Sequence, residues 1–303
     1  MDDGRDIWIV DAFTRQPFRG NRAGVVFDAD GLSEDRMQAI AAEVGASETA
    51  FLLAPTGDDH DVWIRFFTPT VEVPSCGHAT IAAHYARAVR LRLDPGRVMH
   101  RIGIGVLPVD LERHADDYRV TMTQGTPVFG DRLEGEVADL LLAALGIGSA
   151  DLDPRGPLEW VDTGNSKVVV PLKRRATLDA LRPAADGLLA VHQRVPSGGV
   201  FVFSLEGADE QALTRARMFA PQIGIPEDPV TGNGHGPLGS YLVRHGLAEH
   251  DGRTLQFRGI QGEAMGRPGY VDVTVAIEGA TPTRVAVTGD AVVAIEGRLT
   301  ARV

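Results

Sequence analysis

Apolar residues recur mostly at alternate positions along this chain, interrupted by a few stretches with helical spacing. Asp6–Phe13 alternates around Ile7, Ile9 and Val10 and reads as a strand. Gly20-Asn21-Arg22-Ala23-Gly24 reads as a turn, with the next strand opening at Val25–Phe27. Ser33 suits an N-cap, with Glu34 and Asp35 in the first turn. Met37, Ile40, Ala41 and Val44 follow at helical spacing, and Gly45 stops the helix. Ser47–Leu53 is a strand with a carboxylate near its start, and Val62–Val73 reads as one long strand. Val98–Glu112 and Tyr118–Thr123 are strand-like, and Val137–Leu145 is helical. Two strand-like runs flank Thr163-Gly164-Asn165, and Leu178–Ala185 reads as a short helix. Strands follow at Val200–Leu205, Ala216–Phe219, Leu255–Arg258, Tyr270–Ile277 and Arg284–Ile295.

Two stretches read as copies of one another. Arg65-Phe66-Phe67-Thr68-Pro69 through Pro74 matches Arg217-Met218-Phe219-Ala220-Pro221 through Pro226, with Val71 and Val73 answered by Ile223 and Ile225. Gly77 then matches Gly232 after a three-residue insertion. Each glycine opens a small-residue stretch, Ala79–Ala88 and Gly234–His245, that reads as a helix. This pattern predicts a duplicated domain with one strand-loop-helix corner per half, the second half beginning near Gly130. The small residues within each helix suggest close backbone approach, as in a helix threaded through a curled sheet.

Composition narrows the function classes. The chain has 303 residues, room for two domains, and its 44% hydrophobic content supports full cores. A net charge of −11 argues against nucleic-acid binding. No apolar run approaches a membrane span, and the acidic start lacks a signal-peptide core, so a cytoplasmic location is expected. A single cysteine, Cys76, excludes an intrachain disulfide and a multi-cysteine metal site. Gly103-Ile104-Gly105 lacks the rest of a dinucleotide fingerprint, and no phosphate-binding lysine loop exists. The nine histidines show no paired ligand spacing on one helix, so neither metal nor cofactor is expected.

The chemistry-bearing residues cluster in four motifs: Gly20-Asn21-x-x-Gly24-Val25-Val26, Ser47-Glu48-Thr49-Ala50-Phe51, Phe67-Thr68-Pro69-x-x-Glu72-x-x-x-Cys76-Gly77-His78-Ala79-Thr80, and Glu227–Asn233. Together and in this order they resemble the PhzF family, the phenazine-biosynthesis-like group within the diaminopimelate epimerase superfamily. The resemblance implies an α+β fold of two pseudo-symmetric domains, each a central helix wrapped by a barrel-like, mostly antiparallel sheet. Residues 1–128, joined by a returning strand at about 287–303, would form one domain and 129–286 the other. It further implies a homodimer, and an active site between the domains that takes a small carboxylate-bearing substrate.

Taken on residue pattern alone, Glu48 reads sooner as a solvated carboxylate at a loop edge, while His78 is equally a structural cap and Asp228 equally a turn former. The resemblance makes Glu48 the acid/base group, His78 a substrate-facing residue and Asp228 its partner from the second domain. Free N–H groups at the helix starts, Gly77 and Gly232, would bind a carboxylate. Cys76, Thr231, Asn233 and Gly234 line the same corners, and Asn233 stands where the family usually has serine. Glu227 is read as a turn residue. Superfamily racemases pair one thiol from each half; here the partner of Cys76 is Thr231, whose hydroxyl is a poor acid/base at neutral pH. The expected activity is cofactor-independent isomerisation by proton transfer. A one-thiol lyase using Cys76, resembling hydroxyproline dehydratases, is the alternative, as is a non-catalytic small-ligand-binding protein.

Overall fold

The computed structural model describes residues 4–209 and 211–300. Residues 1–3 of the acidic start and 301–303 of the returning segment lie outside the described residues. The chain divides into two compact units, Met1–Thr123 with Thr288–Val303, and Gln124–Val287.

The first unit carries β1 (Asp6–Ala12), β2 (Asn21–Val26), α1 (Glu34–Val44), β3 (Glu48–Leu53), β4 (Val62–Phe67), β5 (Glu72–Val73), α2 (Gly77–Leu91), β6 (Gly96–Ile102), β7 (Gly105–His114) and β8 (Asp117–Thr123). The second carries β9 (Val128–Arg132), α3 (Gly135–Leu145), β10 (Glu159–Asp162), β11 (Lys167–Leu172), α4 (Arg175–Ala180), α5 (Ala185–Arg194), β12 (Val200–Ser204), β13 (Thr214–Ala220), β14 (Ile225–Asp228), α6 (Gly232–Arg244), β15 (Thr254–Gln261) and β16 (Gly269–Glu278). The last strand, β17 (Thr281–Arg298), begins in the second unit and ends in the first.

In the first unit the pairings close a ring of eight strands. β1 pairs antiparallel with β2, β2 parallel with β3, β3 antiparallel with β4, and β4 parallel with β6. β6, β7 and β8 form a meander, β8 pairs with β17, and β17 returns antiparallel to β1. Helix α2 occupies the ring, buried without interruption from Gly77 to Ala86. A helix enclosed on every side needs small side chains, and this one supplies five alanines between Ala79 and Ala88. α1 packs outside, its Met37, Ile40 and Ala41 against Val26, Phe51 and Phe67. Ser33 accepts a hydrogen bond from the Arg36 N–H at its start, and Gly45 ends it at φ 61°.

The second unit repeats the succession. β10 pairs antiparallel with β11, β11 parallel with β12, β12 antiparallel with β13, β13 parallel with β15, and β15 antiparallel with β16. The buried helix is α6, and its glycines admit the sheet. A Cβ on Gly234 would lie 2.3 Å from the Phe201 ring, and one on Gly239 2.8 Å from Val275. The fold is therefore α+β, two units of one design, each a helix wrapped by a mostly antiparallel sheet. Among the described residues no helix is long and apolar enough to cross a membrane.

The duplicated corners match in detail, but at a different alignment from the one the prolines suggest. Arg65 pairs with Glu72 at 2.7 Å and Arg217 with Glu227 at 2.7 Å. Each guanidinium also lies 5.1 Å from a phenylalanine ring two residues on, Phe67 and Phe219. Phe66 faces Val73 as Met218 faces Asp228. The three-residue insertion thus falls at the 3-10 turn Pro221–Ile223, before the short strand rather than after it. Glu227 is accordingly a strand residue in an ion pair, not a turn former.

Other boundaries also differ from the sequence reading. Asn21–Gly24 is strand, held in ladder with β1, and only Gly20 turns, at φ 60°. Val62–Val73 breaks at Thr68, whose hydroxyl accepts the Thr70 and Val71 N–H groups and turns the chain back. Gly103-Ile104 is a hairpin turn between β6 and β7. The helix expected at Leu178–Ala185 is two helices, because Pro183 interrupts the run.

Candidate active site

Glu48 opens β3, beside Ala23 of β2 and one residue before the Thr49–Phe67 pair. Cys76 is the N-cap residue of α2, with extended backbone and no capping bond from its side chain. His78 follows in the first turn. Sheet and helix together bring a carboxyl, a thiol and an imidazole into one buried cluster. His78 Nε2 lies 3.2 Å from Glu48 Oε2 and 3.2 Å from Ser47 Oγ, and His78 Nδ1 lies 3.5 Å from Cys76 Sγ. The Glu48–His78 contact has ion-pair distance without hydrogen-bond alignment.

Burial raises the Glu48 pKa above the ordinary carboxyl value, and hydrogen bonds from Ser47 and Cys76 oppose the shift without cancelling it. Only 6% of Glu48 is exposed, so an ionised carboxylate there lacks solvent to stabilise it. Burial therefore favours the protonated carboxyl more than it would be favoured at an exposed glutamate. Glu48, Cys76 and His78 also present ligand atoms within 4.8 Å of one another, among the described residues a set close enough to share a metal ion. Ligand spacing along the sequence does not reveal this set, because the carboxylate arrives from another element.

In the second unit Asp228 closes β14 and Thr231 is the N-cap residue of α6. The Thr231 hydroxyl donates a short hydrogen bond to the Asp228 carboxylate. Gln261, at the end of β15, ties the corner together. Its Oε1 accepts the Thr231 N–H at 3.0 Å, and its Nε2 donates to the Asp228 carbonyl at 2.7 Å and to the Thr231 hydroxyl at 3.2 Å. Gly232, Asn233 and Gly234 form the first turn of α6, whose leading N–H groups have no acceptor within the helix.

Asn233 has a determined orientation. The Thr163 hydroxyl donates to Gln124 Oε1 at 2.7 Å, and the Gly232 carbonyl can only accept, so Gln124 Nε2 must face it, at 3.3 Å. The same nitrogen meets Asn233 Oδ1 at 3.1 Å. Asn233 therefore points its own NH₂ away from Gln124. By the corner alignment Cys76 corresponds to Thr231, Gly77 to Gly232 and His78 to Asn233.

Thus each sequence-predicted site residue lies in one of two clusters, Glu48, Cys76, Gly77 and His78 in the first unit, Asp228, Thr231, Gly232, Asn233 and Gly234 in the second. Sequence reasoning missed Ser47's contact with His78, Gln261, Gln124 and a buried lysine, Lys167, in the second unit. A lysine at the head of an apolar strand was the available signal for the last.

The family model for phenazine biosynthesis-like proteins, PhzC-PhzF, matches residues 10–297. The uncharacterized isomerase YddE of Escherichia coli K12 is 49% identical over 287 residues, covering 95% of each chain. The trans-2,3-dihydro-3-hydroxyanthranilate isomerase of Pseudomonas chlororaphis is 35% identical over 285 residues, 94% of this chain and 95% of the relative. Among solved structures, a PhzF-family phenazine biosynthesis protein of Bacillus anthracis superposes with a TM-score of 0.89 at 30% identity, covering 98% of this chain and 99% of that one. A hydroxyproline epimerase of Agrobacterium vitis shares the fold alone, at a TM-score of 0.64 and 12% identity over 98% of this chain and 91% of that one. The chain belongs to the PhzC-PhzF family of phenazine biosynthesis-like proteins and is an isomerase of that family.

Proposed function

We propose that this isomerase moves a proton along a small carboxylate-bearing metabolite, unsaturated or cyclic, by general acid/base catalysis without a cofactor. Glu48 is the proton carrier. The observation that supports this reading is the buried Glu48 carboxyl, its pKa raised by burial, in contact with Ser47, Cys76 and His78. An allylic shift removes a proton from one carbon and returns it to another, and one carboxyl can do both. His78 polarises the substrate. Asp228, fixed by Thr231 and Gln261, accepts a hydrogen bond from it. The leading N–H groups at Gly77 and Gly232, with Asn233, hold the carboxylate. The named activity of the Pseudomonas chlororaphis relative makes cyclic, unsaturated amino acids the first substrates to try.

The test is solvent-deuterium incorporation, screened by mass spectrometry over a panel of unsaturated and cyclic amino and hydroxy acids. On a substrate that exchanges, Glu48→Gln keeps shape and removes the base, and is expected to cost about 10²–10⁴-fold or more. Cys76→Ala is expected to change the rate only slightly. Exchange at near wild-type rate in Glu48→Gln would refute the assignment. A second reading, one-thiol lyase chemistry, draws support from the Cys76 Sγ to His78 Nδ1 distance of 3.5 Å, since an imidazole can draw off the thiol proton. In that case the two substitutions exchange outcomes, and alkylation of Cys76 abolishes turnover.

A further inference from the structure

The hydrogen bonds that Ser47 and Cys76 make to the Glu48 carboxyl leave its Oε2 without a partner among the described residues, although the side chain is only 6% exposed. A buried oxygen to which nothing donates is costly to keep, and it is rare in folded proteins. This one lies 3.2 Å from His78 Nε2. The other ring nitrogen, Nδ1, lies 3.5 Å from Cys76 Sγ. One ligand atom from each of Glu48, Cys76 and His78 lies within 4.8 Å of the others, and all three residues are buried.

These separations suit a tetrahedral metal centre. Zn²⁺ holds a thiolate sulfur at about 2.3 Å and nitrogen or oxygen at about 2.0–2.2 Å, so its ligand atoms stand about 3.3–3.6 Å apart. The two measured pairs, at 3.2 and 3.5 Å, are close to that spacing before any ion enters. When Nδ1 ligates, Ser47 Oγ at 3.2 Å is in place to accept the Nε2 hydrogen, the outer support that metal-bound imidazoles usually have. Cys76 is the N-cap residue of α2, and a helix start favours the thiolate, which is the form that binds metal. Sulfur beside imidazole selects Zn²⁺ or Co²⁺ over Mg²⁺ and Ca²⁺, which prefer oxygen. Three protein ligands leave the fourth position to water.

We propose that Glu48, Cys76 and His78 form a reversible inhibitory site for a divalent cation of the zinc class, with all its protein ligands in the first unit. The ion is not a cofactor. Binding sends the thiol proton to solvent, and the Glu48 proton with it where one is present. The ion then occupies the lone pairs of both groups, so the loaded protein has no proton carrier. That last consequence rests on the functional reading above, whereas the binding site does not.

The test adds Co²⁺, a spectroscopic substitute for Zn²⁺, to untagged, reduced protein. Cys76 is the only cysteine, so a thiolate-to-cobalt charge-transfer band in the near ultraviolet reports on this site and no other. The band should saturate at one Co²⁺ per chain, together with the strong visible bands of four-coordinate cobalt, and one equivalent of Zn²⁺ should abolish both. If either is missing from the wild type, the proposal is overturned, with no variant needed. Glu48→Gln and His78→Gln, checked for folding by circular dichroism, should each weaken Co²⁺ binding by at least the about 10- to 100-fold that losing an outer partner costs. Unchanged affinity in both would mean a lone thiol and would also overturn it. On a substrate that exchanges, saturating Zn²⁺ should stop deuterium incorporation and a chelator should restore it. Cobalt bands with undiminished exchange under Zn²⁺ would keep the metal site and remove Glu48 as proton carrier, so the two readings fail separately.

Discussion

Lowering pH from 7 to 5 should destabilise the second unit through His235. This ring is fully buried, with Nδ1 against the Thr231 carbonyl at 3.0 Å, Nε2 without a hydrogen-bond partner among the described residues, and the ring T-shaped against Phe201 at 5.1 Å between centroids. Burial lowers its pKa from 6.5 to about 4. The unfolded chain therefore binds a proton through the window from pH 6.5 down to 4 while the folded state does not, and stability falls with pH across it. The slope is about 1.4 kcal/mol per pH unit, so by pH 5 the group has cost about 2 kcal/mol. That is a substantial part of the ~5–15 kcal/mol that holds a domain together. Urea titrations at pH 7, 6 and 5, followed by circular dichroism, measure it. His235→Phe keeps an aromatic ring and removes the titration, at a fixed cost for the lost bond to Thr231. The wild type should lose about 2 kcal/mol more than His235→Phe between pH 7 and 5. Equal losses in the two proteins would refute the argument. In the first unit His84 and His100, paired at 3.1 Å and both lowered by burial, act in the same direction. Glu48 opposes them there, since a carboxyl with a raised folded-state pKa is relieved as pH falls.

Two further outcomes test the fold. Arg217→Ala should destabilise by about 3–5 kcal/mol in urea titration, because it strands Glu227 in a half-buried site and frees the carbonyls of Leu178 and Leu181, bound at 2.9 and 3.0 Å; a loss under about 1 kcal/mol would contradict this. Gly234→Ala puts a methyl 2.3 Å from the Phe201 ring and should cost about 1–3 kcal/mol by the same assay, whereas a neutral result would mean the ring moves freely.

What the sequence shows of this molecule follows from which contacts are local. Ser33 and Gly45 mark their helix because capping acts over a few residues. The small residues of α2 and α6 announce enclosed helices for a similar reason. The link between Cys76 and His78 is also local, and Glu48 is found through a motif. Gln261 has no such signature, because strand register brings it to Asp228 from 33 positions away along the chain. The Arg217–Glu227 pair was hidden by the insertion at Pro221–Ile223, which lets Pro226 imitate Pro74. Only the ladder, with Met218 opposite Asp228, shows that the true counterpart of Pro74 is Pro229.

Asn233 offers a substitution in which stability and function should part. Its Oδ1 is engaged by Gln124, and its NH₂ is the free donor at the start of α6. Asn233→Asp keeps the acceptor for Gln124 and replaces the donor with a negative oxygen. An acid in the first turn interacts favourably with the helix dipole, and α6 has none there now. The variant should therefore be more stable by about 0.3–1 kcal/mol in thermal or urea denaturation. The same charge repels a substrate carboxylate and removes a hydrogen bond to it. Losing a hydrogen bond to a charged group is worth about 1.5–3 kcal/mol, so KM should rise about 10- to 100-fold or more. Asn233→Ser restores a donor and should recover most of the affinity without the gain in stability. If Asn233 serves only to hold Gln124, the aspartate variant will bind substrate as the wild type does. That result would remove Asn233 from the binding machinery and leave the Gln124 network as a fold element.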